Sequence, residues 1–142
     1  MGSGLAGHYH IKPTPAAIRD AMDLFPKYGD YQEARRHALK LRFWPTGEDR
    51  DSGQIEDMDW CWIRSLRGNK VGELRIHDTI AGHDNLRAIF YVSDVVLRGE
   101  PLPKIWIISV MQKKSMDFTT NDITTFKARL AILKKRVYGN LS

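Results

Sequence analysis

Apolar residues recur along the chain with two different periods, and the change between them divides it. Thr14-Pro15 opens a helix, with the hydroxyl as N-cap and proline at the first helical position. Ile18, Ala21, Met22 and Phe25 follow at helical spacing, which predicts one inward face, and Pro26 ends the run. Asp30-Tyr-Gln-Glu33 has the form of a capping box and predicts a second helix to about Arg42, with Tyr31, Ala34, Ala38 and Leu41 facing inward. Pro45 to Gln54 is polar and Gly-containing and reads as a solvated loop. Beyond it the period shortens. Trp60 to Leu66 is aromatic and β-prone, Arg67-Gly-Asn69 signals a turn, and Glu73 to His77 alternates polar with apolar. Leu86 to Val92 is a third β run. Ile105 to Met111 is the most apolar and does not alternate, which predicts a central strand covered on both faces. Thr119-Thr-Asn-Asp122 then supplies N-cap candidates for a last helix with a stripe of Ile123, Phe126, Leu130, Leu133 and Val137, and Gly139 is its natural stop.

The order helix, helix, three or four antiparallel strands, helix predicts an α+β domain. Residues 1–13 lack apolar periodicity and read as a loose terminus, leaving 14–142 as a single domain. A chain of 142 residues is long enough for one core and too short for two substantial ones. The apolar run at Ile105 falls far short of the ~20 residues of a membrane helix, so no membrane partner is expected. The lone Cys61 excludes an internal disulfide and, with no secretory leader in view, fits a cytoplasmic location.

Charge adds a direction. The formal net charge is +5, and residues 72–142 carry 11 basic against 7 acidic groups. A field of that sign steers anionic partners such as nucleic acid or an acidic protein segment. No phosphate-binding glycine loop or nucleophile elbow is present, and His77, His83 and Cys61 lack a zinc-ligand spacing, so no metal or other cofactor is expected. What remains is cations on consecutive strands: Arg75 beside Leu74 and Ile76, Arg87 on the face of Ile89 and Tyr91, and Lys113-Lys114 leaving the last strand. If those strands pair in order, the side chains converge on one face, an arrangement suited to a phosphodiester. The alternative is a set of surface charges that blunt strand edges. Arg35-Arg36-His37 reads as a solvated helix face or the border of an RNA groove, and Lys70 is a further RNA-binding candidate. Trp60, Trp62, Trp106, Phe90 and Tyr91 read as packing aromatics or base-stacking platforms.

The segments Leu66-Arg-Gly-Asn-Lys-Val-Gly-Glu-Leu-Arg-Ile76, Asn85-Leu-Arg-Ala-Ile-Phe-Tyr-Val92, Ile105 to Lys114 and Lys127-Ala-Arg-Leu130, in this order, resemble the RelE/HigB toxin superfamily, most nearly its phage-derived HigB-like branch. The resemblance covers roughly residues 60–138. It implies a small RelE-like domain, with helices against a twisted antiparallel sheet. It also implies the toxin of a type II toxin–antitoxin system, a metal-independent endoribonuclease that cuts mRNA on the ribosome and is neutralised by a helix-turn-helix antitoxin. In such enzymes a ribose 2′-hydroxyl attacks the adjacent phosphate. Carried onto this chain, Arg87 and Lys113 serve the phosphate and its transition state, Arg75 positions the backbone or supports acid–base chemistry, and Lys114 backs up either role. Two positions depart from the pattern. The histidine that often precedes the Lys-Lys pair is Ser109 here, and the only late tyrosine is Tyr138. No proton carrier is evident, with His77 and His83 as loose candidates. A non-catalytic binding module on the same fold and a topoisomerase-poisoning ParE-like member are the other readings.

Overall fold

The computed structural model describes residues 7–49, 52–55, 57–93, 96 and 99–138. Strand β1 (His10–Pro13) leads into helices α1 (Pro15–Leu24) and α2 (Tyr28–Ala38), and α2 runs on as a tighter 3₁₀ turn through Leu39–Phe43. Strands β2 (Trp60–Trp62), β3 (Val71–Ile76), β4 (Leu86–Ser93) and β5 (Lys104–Gln112) follow, and α3 (Thr120–Tyr138) closes the described chain. One sheet holds all five strands in the order β1-β5-β4-β3-β2. Helices α1 and α2 cover one face and α3 the other. No helix among the described residues is long and apolar enough to cross a membrane.

The α+β class agrees with the expectation, while the sheet differs in two respects: it has five strands rather than three or four, and it is mixed. Residues 10–13, read as part of a loose terminus, form β1, which pairs parallel with β5 from His10↔Lys104 to Pro13↔Ile107. The reason is hydrogen-bond accounting along the β5 edge, whose backbone groups need partners once buried. His10 N–H donates to the Pro103 carbonyl at 2.9 Å and Thr14 N–H to that of Ile107 at 2.9 Å. Tyr9 and Ile11 add apolar cover against the core beneath α1.

Local signals explain most of the other elements. The Thr14 side chain accepts from Ala17 N–H at 3.2 Å and caps α1. Thr119 and Asp122 exchange reciprocal 3.0 Å bonds at the start of α3, a capping box. The box expected at Asp30–Glu33 does not form: α2 starts earlier, after Lys27, with no side-chain cap, and Glu33 bonds Arg36 instead. Of the face expected on α1, Phe25 is buried, whereas Met22 is 58% exposed because Ala17 takes the inward position. Gly139 lies outside the described residues.

Strand β5 is paired on both sides and covered on both faces, as its apolar run predicts, although β4 is the middle strand of the five. Beneath α3 lie Ile89, Tyr91 and Ile108 against Phe126, Leu130 and Leu133. On the other face Leu74, Phe90, Ile105 and Ile107 pack under α1. Gly72 permits this layer to close. A Cβ there would stand 2.6 Å from Phe90 Cζ and 3.1 Å from the Cys61 carbonyl, so a larger residue forces the ring aside.

Beyond the end of β1 the β5 edge loses its strand partner and gains a side-chain one. The register shifts between Ile89 and Phe90, leaving Ile108 as the extra residue of a bulge. Asp20 of α1 accepts from Ser109 Oγ at 3.0 Å and from Val110 N–H at 3.1 Å. Arg129 of α3 grips both Asp20 oxygens and donates to the Ile108 carbonyl at 3.0 Å. The two helix layers are therefore tied together around the sheet edge by one bidentate ion pair.

Candidate functional site

Arg75 and Arg87 stand directly opposite each other in the β3–β4 register. Like charges in that position repel, so something must offset them. Alternation supplies it: Glu73 lies two residues before Arg75, on the same face. Its carboxylate is almost wholly buried, and Oε1 lies 3.0 Å from Arg87 Nε, 3.7 Å from Lys113 Nζ and 3.9 Å from Arg75 Nε. Lys113 is brought in by the hairpin-like return of β5, where its N–H donates to the Asn85 carbonyl at 2.9 Å. Its ammonium also sits 4.4 Å from the centre of the Phe118 ring, which packs edge-on against Phe126 of α3. Lys114 is exposed on the rim. Arg75, Asn85, Arg87, Lys113, Lys114 and Ser115 line one open groove.

The charges in this groove do not cancel. Arg75 also reaches Asp59 at 3.6 Å, yet Asp59 is held by His77 at 2.8 Å. Even with Asp59 counted, cations outnumber carboxylates around Glu73. Arg87 and Lys113 have side chains only 14% and 12% exposed, so their excess charge is poorly screened by water. An anion placed over them is favoured, and a phosphodiester gaining negative charge in its transition state is favoured more.

Three of the four cations expected to act on RNA therefore meet around one carboxylate, and the fourth borders the same groove. The other candidates lie elsewhere. Arg35 and Arg36 are on α2, across the sheet. Arg36 bonds Glu33 at 2.6 Å and comes within 4.0 Å of Asp78, so it belongs to a joint between α2 and the end of β3. Lys70 sits in the left-handed turn before β3 (φ 58°), roughly 17 Å along the strand from Arg75. These three do not extend the groove. The aromatics follow the packing reading: Trp44, Trp60 and Trp62 have ring centres 5.0–5.6 Å apart, with Trp60 also against Phe90, on the face away from the cations.

Both departures from the toxin pattern have structural places. Ser109 is buried against Asp20 at the sheet edge. The Tyr138 hydroxyl is 2.8 Å from those of Tyr91 and Ser93, near the end of β4 opposite Arg87 and some 20 Å from it. Burial and the bond to Tyr138 push the Tyr91 phenol well above its ordinary value. Neither Ser109 nor Tyr138 serves the groove.

Sequence reasoning missed Glu73 and Asp59. Alternation places Glu73 beside Arg75, but a carboxylate in a half-buried strand reads as solvent-facing until its partners are known. Also missed was Glu33-His37-Asp78, the one group among the described residues whose ligand atoms lie within 4.8 Å of one another. Arg36 Nη2, 2.6 Å from Glu33 and 3.5 Å from His37 Nε2, already supplies a cation there.

Cys61, opposite Glu73 in the β2–β3 register, reports on the cluster. Burial and the Glu73 charge push its thiol up, against a smaller pull from Arg75 and Lys113. At pH 8 Cys61 is expected to react with iodoacetamide several-fold more slowly than free cysteine, and Glu73→Gln to narrow that gap; a rate equal to free cysteine would contradict the geometry.

Compared with known protein families, with curated proteins and with solved structures, the chain matches none.

Proposed function

We propose that the chain is a RelE/HigB-like toxin, an endoribonuclease that cuts mRNA on the ribosome without a metal and is held in check by a helix-turn-helix antitoxin in the cytoplasm. The observation that carries this reading is the meeting of Arg75, Arg87 and Lys113 around Glu73, on strands that the sequence separates. Glu73 fixes the cations, the β hairpins fix Glu73, and little reorganisation remains when a phosphate arrives. In this arrangement Arg87 and Lys113 take the non-bridging phosphate oxygens as charge builds. Arg75, 43% exposed, holds the backbone of the neighbouring nucleotide.

The test is cleavage of a short message on programmed ribosomes. Saturating protein is expected to cut the message and stop translation; an intact message and unhindered translation would overturn the reading. A binding module on the same fold is the second reading, favoured by the engagement of Ser109 and Tyr138 away from the groove. It predicts RNA binding with no cut in the same assay.

A further inference from the structure

We infer that His77, oriented by Asp59, is the proton carrier of this groove, taking the 2′-hydroxyl proton of the RNA; the inference rests on the nuclease reading above. The chain has five histidines, and four are placed where they cannot serve. His8 lies against Phe43 and His10 in β1, at the far edge of the sheet. His37 is 7% exposed and bonded to Asp78, and His83 packs edge-on to Phe25 on the α1–α2 side. His77 is different. It follows Glu73 and Arg75 at the same two-residue spacing, about 7 Å beyond Arg75, and its side chain is 66% exposed.

Its orientation is built in. Asp59 is pinned to β3 by its own carbonyl, which accepts from Arg75 N–H at 2.8 Å. The Asp59 carboxylate lies 2.8 Å from His77 Nε2 and 3.6 Å from Arg75 Nη1. A carboxylate only accepts, so Nε2 carries the hydrogen, and in the neutral imidazole Nδ1 is then the basic nitrogen. The recess beside the dyad is lined by Asp57, Asp78, Lys40 and the buried His37, and Arg75 lines both this recess and the cationic groove. One nucleotide lying across Arg75 reaches both.

The step then balances. The 2′-hydroxyl proton passes to His77 Nδ1, the 2′-oxygen bonds to phosphorus, and the bond from phosphorus to the 5′-oxygen breaks. The departing oxygen takes a proton from water, and the imidazolium returns its own to the hydroxide left behind. No co-reactant is required.

Single-turnover cleavage of a message on programmed ribosomes, followed from pH 5.5 to 9, tests this. The wild type is expected to lose rate as the pH falls, because only the neutral imidazole can take the proton. His77→Gln is expected to lower the rate at neutral pH by about 100-fold and to flatten that limb. Added imidazole is expected to restore part of the rate to His77→Ala, which no structural role would explain. Asp59→Asn is expected to slow cleavage about ten-fold with RNA affinity retained. A His77→Gln protein with wild-type rate and limb, alongside an inactive Arg87→Ala, would overturn the inference and leave the nuclease reading standing. A wild type that cuts nothing would overturn both.

Discussion

Arg87→Ala is expected to lower single-turnover cleavage of ribosome-bound message by about 100- to 1,000-fold while RNA affinity falls far less. The asymmetry follows from where the guanidinium sits. It is mostly shielded from water, fixed by Glu73 at 3.0 Å through Nε and by the Leu86 carbonyl at 3.1 Å through Nη1. Such a group needs no reorganisation when charge develops, so its contribution is larger in the transition state than in the bound ground state. Arg87→Lys keeps the charge and loses the fork, and is expected to recover only part of the rate. Circular dichroism separates this from misfolding, since Lys113 and Arg75 still neutralise Glu73 in the alanine variant. Cleavage at the wild-type rate by folded Arg87→Ala would remove the groove from the chemistry.

The largest effect on stability is expected at Asp20. Alanine there strands the Val110 N–H, the Ser109 hydroxyl and the Arg129 guanidinium at once. Both charged side chains are less than a quarter exposed, so leaving Arg129 unpaired costs more than losing a surface bridge. A loss of about 3 kcal/mol is expected, or roughly 10 °C in Tm, by urea and thermal unfolding. Arg129→Ala should cost a similar amount and the double variant little more than either, because one joint is broken in all three. Strictly additive losses would mean that the two helices are not coupled through this pair.

Much of the fold was legible because burial imposes a period. The stripe through Phe126, Leu130 and Leu133, the proline and threonine at the start of α1, and the unbroken apolar run of β5 each reflect how many of their faces are covered. β1 left no such mark. Four residues, half of them exposed, carry no period, and their reason for being extended is a partner at the far end of the chain. The site divides the same way. Arg75, Arg87 and Lys113 were legible as cations at strand positions that pairing in order brings together. Glu73 was not, because alternation specifies a face without saying what lies across from it. Asp59 was not, because it sits in an irregular stretch before β2 and meets His77 only through the fold.

The parallel pairing of β1 with β5 also sets an order of events during synthesis. At about 5–20 residues per second, the opening segment of a nascent chain waits several seconds for the stretch that seats it. Until then its neighbours in sequence offer only local, helical company, and contacts made between such distant segments are the slow part of folding. Lys113 emerges later still, so the ring of charge around Glu73 closes only after β5 has followed β3 and β4, with α3 still to come. A ribosome making this protein therefore exposes the separate cations well before it exposes a closed groove.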